Sequence, residues 1–421
     1  MYARHFVALV LAIGWVHSSA AQEEVGSQWV ATTLTGGWSG QRSALLRQGI
    51  NVELLHKSDV LSNLSGGLRR GTAWLGHTEA GVSFDLAALL GWEASSGYIN
   101  YHSQLGSKFN GRYVGSFMGV DNIEANTNTA QFSQAWLQKN FADERFSILA
   151  GLYQIDSEFY VTDTSGVFIQ PPYGISNELA QTGVSGPPVF PVGALGIRLK
   201  YLSPQRNFYL QGALTDGVPG NPNNPRGTHI RVGNGDGTLA IVELGYAPQE
   251  NDSVAPQPGS GVFFNKTAVG MWRYSSSFPS IDPADGLRYP SRGIYVLAER
   301  SLLVERNHPQ RGMAGFVRFG TANQAIHQAD WTGSFGLRYR GLFAQRGDDI
   351  AGVAVTVNHA GRKYQQLNAS LNSETDVEFV YRAQLTPWFS LQPTLQYIAH
   401  PNMDAALQNA WIVGTRMEIN L

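Results

Sequence analysis

Residues 155–193 read IDSEFYVTDTSGVFIQPPYGISNELAQTGVSGPPVFPVG, and every charged side chain among them is acidic: Asp156, Glu158, Asp163 and Glu178. Cations stand at alternating positions of other segments: Arg198 and Lys200, Arg338 and Arg340, then Arg382 and Arg416, with Arg69 earlier. A carboxylate accepts and a guanidinium donates paired hydrogen bonds, so the two together can hold neighbouring hydroxyls. Phe159, Tyr160, Phe168 and Tyr173 offer flat faces to the apolar C–H surfaces of pyranose rings. This is chemistry for weak, reversible binding of small neutral sugars. It requires the acidic stretch to fold inward and face the cations across a narrow, water-filled gap, forming a constriction. The plainer arrangement is a stretch that caps an outer mouth with its acids in water.

Other chemistry finds little support. The ten histidines are dispersed, with no HExxH spacing, and there is no GxSxG elbow and no phosphate-cradling glycine loop. His77, two residues before Glu79, could serve acid–base work, but an ordinary polar wall residue accounts for it as well. With no cysteine, a disulfide framework and thiol chemistry are excluded. No cofactor and no enzymatic activity are expected.

The elements that must position these groups are strands. From Arg69 to Leu86, Trp74, Thr78, Ala80, Val82, Phe84 and Leu86 alternate with Leu75, His77, Glu79, Ser83 and Asp85. Successive strand residues point to opposite faces, so one face is apolar and the other polar and charged. A half-buried strand of a soluble sandwich alternates the same way. The length separates them, because soluble strands run about five or six residues and a tilted membrane-crossing strand needs about 9–11. Strand follows strand from Ile50 onward, Glu243 falling on the polar face of the eighth (near 239–246), and sixteen can be laid out. Short turns at 142–144, 203–206 and 387–388 alternate with long connections at 107–130, 155–193, 216–238, 276–292 and 360–375. Only 247–266 breaks that rule, which is the pattern of outer-membrane barrels. The last strand carries Trp411, Val413, Thr415, Met417, Ile419 and Leu421 on one face and ends the chain, as closure of a barrel requires. A short helix is expected over 39–49, capped by Ser39 and ended at Gly49, and Pro393 within a strand predicts a bulge.

Bulk properties agree with an all-β transmembrane antiparallel barrel. The 421 residues carry a net charge of −2, and only 15% are charged. Mean hydropathy is −0.18, too polar for a helical membrane protein. The near-neutral balance gives no support to nucleic-acid binding. Arg4 and His5, the apolar run Phe6 to Val16 and the small residues Ser18 to Ala21 form a secretory signal peptide, 1–21, leaving 22–421 as the barrel domain. The expected surroundings are outer-membrane lipid and lipopolysaccharide; monomer and homo-oligomer both stay open.

Several blocks resemble the OprB-type carbohydrate-selective porins of Gram-negative outer membranes: GGWSGQRSALLRQGI (36–50), NLSGGLRRG (63–71), LLGWEASSG (89–97) and LQKNFADERFSILAGLYQIDSEF (137–159). GVFIQPPYG (166–174), FPVGALGIRLKY (190–201) and YRAQLTPWFSLQPTLQYIAHP (381–401) extend the resemblance over nearly all of the mature chain. It implies a 16-stranded barrel passing glucose-like monosaccharides by passive facilitated diffusion. It also implies an eyelet of arginine and carboxylate side chains, carried here to Glu53, Arg69 and the 155–193 loop. Gln170, Gln134, Gln138 and the terminal Leu421 depart from the family pattern. A general diffusion porin without sugar preference is the alternative on the same barrel.

Overall fold

The protein, seen as a computed structural model, is described over residues 31–233, 237–248 and 264–421. The signal peptide expected at 1–21 lies outside the described residues. Sixteen strands form one closed antiparallel barrel. β1 (Ile50–Gly67), β2 (Gly71–Asp85), β3 (Ser95–Gly106) and β4 (Thr129–Phe141) open it. Four short strands follow, β5 (Phe146–Tyr153), β6 (Ala194–Leu202), β7 (Phe208–Asp216) and β8 (Thr238–Tyr246). The wall rises again through β9 (Asn265–Pro279), β10 (Arg288–Glu305), β11 (His308–Ala322) and β12 (Ala329–Arg340). It closes with β13 (Ile350–Ala360), β14 (Ser373–Thr386), β15 (Phe389–Ala399) and β16 (Gln408–Asn420), the last pairing β1. Closure satisfies every wall ladder internally, which a backbone surrounded by lipid demands.

The two-residue alternation sets the faces. On β6, Leu195, Ile197, Leu199 and Tyr201 are exposed to the outside, whereas Arg198 between them is fully buried. The apolar core lies inside the barrel, where three buried clusters join the wall to segments of the chain folded into the lumen.

Several expectations change. The helix is one 3-10 turn at Trp38–Gly40 and then α1 (Gln41–Arg47), and it is Gly40 in the left-handed region that caps α1, with no side-chain cap from Ser39. β2 stops at Asp85, which accepts hydrogen bonds from Ala87 N and Ala88 N and so starts the short α2 (Leu86–Leu90). Asp85 therefore caps a turn instead of facing water in the pore, and Leu86 is buried instead of meeting lipid. The connection expected at 276–292 narrows to 280–287 because β9 and β10 continue as a hairpin. Pro393 causes no bulge. It stays in register opposite Thr415, and toward β14 the ladder merely skips Tyr381 and Arg382, with the same register on either side.

Candidate functional site

The wall's inward residues hold the long β5–β6 connection, residues 154–193, by its backbone. Glu243 on β8 is fully buried and accepts hydrogen bonds from Tyr160 N at 2.9 Å and from the hydroxyls of Tyr209 and Tyr295 at 2.7 Å each. Glu299 on β10 accepts from both the N–H and the hydroxyl of Thr164 at 2.8 Å. Glu378 on β14 accepts the N–H groups of Ile169 at 2.9 Å and Gln170 at 3.1 Å. Arg318 on β11 does the converse, donating to the carbonyls of Tyr160 at 3.1 Å, Pro172 at 3.1 Å and Gly174 at 2.5 Å. Its guanidinium lies 4.5 Å over the Tyr160 ring, which stacks on Tyr295 at 4.0 Å. A chain crossing a lumen has no strand partner, so the backbone groups that its own turns leave unpaired look to the wall.

The acids of the connection take different places. Glu158 accepts from Arg198 Nε at 2.8 Å and Tyr153 OH at 2.7 Å, with Lys200 Nζ at 3.9 Å. Burial alone would push the Glu158 carboxyl up, but Arg198 and Lys200 hold it below the usual range. Asp156 accepts from Phe190 N at 2.9 Å, and burial pushes it up to about 6 despite that N–H. Glu178 is buried and accepts from Tyr160 OH at 2.8 Å. Asp163 is exposed, and Arg338 reaches its carbonyl at 3.5 Å.

A second segment, the β3–β4 connection at 107–128, also folds inward; its length alone gave no sign of this. Glu374 on β14 accepts from Ser116 Oγ at 2.7 Å and from the N–H groups of Phe117 at 2.9 Å, Met118 at 3.0 Å and Asn402. Arg416 on β16 spans Asp59 on β1 at 2.6 Å and Asp121 of the segment at 3.3 Å. Asn122 N donates to Ile169 O at 2.7 Å, tying the two inward segments together. The signal for this was available in the buried Val114, Met118, Val120 and Ile123, too many apolar residues for a connection lying in water.

A few inward charges keep access to water. Lys57 on β1 and Glu79 on β2 have side chains 24% and 20% exposed, and Lys200 on β6 is 20% exposed. Lys200 and Lys266 lie 5.5 and 5.6 Å from the Tyr209 ring, and Lys266 donates to Val161 O at 2.8 Å. Glu53 is half-buried and accepts from Asn51 at 3.0 Å. His77 sits 3.2 Å from Glu79, packed on His102 and Phe190.

Of the residues singled out from sequence, Glu53, Glu79, Asp156, Glu158, Phe159, Arg198 and Glu243 are all in the lumen. Among them, Phe159, Arg198 and Glu243 are fully buried, and Glu158 nearly so. Tyr160, Phe168 and Tyr173 are buried as well, so these aromatics pack the segment against the wall and present no open ring face. Arg69 is misplaced by the sequence reading: it lies exposed in the β1–β2 turn, its Nε donating to Arg112 O at 3.0 Å. Arg382 and Arg416 are engaged by Glu418 at 2.7 Å and by Asp59. Lys57, Lys266, Glu299, Arg318 and Glu374 were not anticipated.

A closed barrel of sixteen strands, apolar outside and crossed inside by two tethered segments above partly open charges, is a bacterial outer-membrane channel. The chain belongs to the carbohydrate-selective porin, OprB family, whose sequence pattern matches residues 69–421. It is similar to Porin B of Pseudomonas aeruginosa, with 22% identity over 445 residues, covering 98% of this chain and 96% of the relative. The high-pH structure of Pseudomonas putida OprB matches with a TM-score of 0.81 at 19% identity, over 93% of this chain and 99% of that one. The outer membrane channel DcaP of Acinetobacter baumannii matches at 0.52 and 9% identity, over 88% of this chain and 97% of that one. These two likenesses show the fold. Family and barrel together place the chain in the Gram-negative outer membrane, as a channel of the carbohydrate-selective porin class.

Proposed function

We propose that the channel passes small neutral, glucose-like sugars by passive facilitated diffusion, past a constriction formed by the 154–193 segment. The observation that supports this reading is the set of half-open charges of both signs, Lys57, Glu79, Lys200 and Lys266, on the inward face of a barrel whose lumen also holds the tethered 154–193 segment. Paired donors and acceptors suit hydroxyls, and partial exposure keeps binding weak enough for flux. The buried aromatics take no part in the binding, so stacking on Phe159 or Tyr160 is not part of the proposal. Liposome swelling tests it. Monosaccharides should enter faster than amino acids of similar size, and equal rates would leave a general diffusion porin. In planar bilayers, titrated glucose should reduce ion conductance, and Glu79→Ala should weaken that block.

A further inference from the structure

We propose that the rim above β1–β3, at the end opposite Leu34 and Asn420, binds the phosphates of a glycolipid in the outer leaflet. Arg69, Arg70, Lys108 and Arg112 are all exposed there. Like charges crowd together only if something else holds them. Here Tyr113 does: the Arg69 and Arg112 guanidinium carbons lie 5.1 and 5.5 Å from its ring centre. Its carbonyl accepts from Leu68 N and Arg69 N at 3.0 Å and from Asn63 Nδ2 at 2.9 Å. Asn63 Nδ2 also reaches the carbonyls of Gly66 and Arg69, at 2.9 Å each. The approach is close enough that a Cβ on Gly71 would sit 2.0 Å from the Tyr113 ring. The platform is thus rigid before any ligand arrives.

No carboxylate in the described residues forms an ion pair with these four cations. Glu124, which faces Lys108, has both oxygens on Asn110 N, at 3.0 and 3.1 Å. Elsewhere at this end Lys363 is paired with Asp285 and His359 with Asp330. A planar guanidinium pairs with phosphate oxygens in bidentate fashion, and two of them fixed side by side suit one phosphate or a close pair.

What lies beneath separates a lipid from a free anion. Leu68 adjoins Arg69 and is 50% exposed, and Leu64, Leu105 and Trp74 continue an exposed apolar strip down the outer wall. Phosphate above and acyl chain below is the order of groups in a phosphorylated glycolipid.

The test titrates the detergent-solubilised mature protein with bisphosphorylated lipid A, with fully dephosphorylated lipid A and with inorganic phosphate. Bisphosphorylated lipid A should bind most tightly. The double variant Arg69→Gln/Arg112→Gln should lose about fivefold in affinity per arginine, since each basic residue near an anionic surface is worth about 1 kcal/mol. Arg69→Lys/Arg112→Lys should lose less, and sugar conductance should stay that of the wild type in both, which also reports correct folding. Equal binding of the two lipids by the wild type would overturn the proposal, a measurement that needs no variant. So would an unchanged affinity in a folded glutamine variant, or inorganic phosphate binding as tightly as the lipid.

Discussion

Glu243 decides between two uses of a lumen charge. If it anchors the constriction, Glu243→Ala strips the acceptor from four buried donors, Tyr160 N at 2.9 Å, the Tyr209 and Tyr295 hydroxyls at 2.7 Å and Gln211 Nε2 at 3.3 Å, of which Gln211 alone keeps another acceptor, Glu158 O. Each buried donor left unpaired costs about 1–3 kcal/mol, so the local loss is on the order of 5 kcal/mol. That shifts the docking equilibrium of the Tyr160 stretch by between about three and four powers of ten. The barrel should persist, because its ladders do not involve this carboxylate, and Glu299, Glu378 and Arg318 still hold the neighbouring backbone. The expected outcome in single-channel recordings is a larger and noisier conductance, with the heat-resistant barrel retained on unheated gels. Glu243→Gln keeps one carbonyl acceptor and should give a smaller change of the same kind. The reasoning fails if Glu243→Ala leaves open-channel noise and mean conductance at wild-type values while weakening block by sugar. That pattern belongs to a solute-binding group, not to a tether.

Three further outcomes follow from the geometry. Gly320→Ala puts a Cβ 1.9 Å from Glu178 Oε1 and 2.6 Å from the Tyr160 hydroxyl, so it should unseat the same stretch and raise channel noise; a quiet channel would mean the segment adapts without cost. Asp156 has its carboxyl raised to about 6 by burial, so its contribution to stability is full below about pH 4 and fades as pH rises through 6. Asp156→Asn should remove that part of the pH dependence of thermal unfolding, and an unaltered profile between pH 4 and 7 would contradict the assignment. Arg69→Ala, at the outer rim, should leave conductance and sugar block unchanged in planar bilayers, whereas a wider channel would restore Arg69 to the constriction.

The wall was legible because a barrel repeats one simple rule. Leu195, Ile197, Leu199 and Tyr201 against Arg198 and Lys200 name both faces of β6 without any tertiary knowledge. The rule fails where the strand ends. Gly66 and Gly67, at φ of 68° and 61°, turn the chain just before Arg69, and alternation carried past them assigned that arginine a face it does not have. Asp85 illustrates the same failure, since a side chain on the polar face of a strand can equally cap the helix that follows. The aromatics of the inward segment were misread for another reason. Phe159, Tyr160 and Phe168 are interspersed with Val167, Ile169, Ile175 and Leu179, a composition that makes core when wall surrounds it on every side. Spacing along the sequence cannot show that enclosure, because the contacts that create it join Tyr160 to Glu243 and Ile169 to Glu378.

Charge in this lumen therefore has two origins, and exposure tells them apart. A backbone laid across a barrel presents both N–H and C=O groups without ladder partners, and burying them unpaired is costly. The wall must then offer acceptors to the first and donors to the second. Glu243, Glu299, Glu374 and Glu378 do the one, and Arg318 the other, so inward carboxylates and guanidiniums would be needed in this barrel even if nothing passed through it. Arg382 serves the wall itself, pairing with Glu418, whereas Arg416 joins Asp59 of the wall to Asp121 of the second segment. Subtracting these leaves Glu53, Lys57, Glu79 and Lys200 as charges that reach water, with Lys266 half-open but also bound to Val161 O, and on them selectivity should depend. Replacing the anchors should change how steadily the pore stays open, and replacing the half-open charges should change which solute it favours.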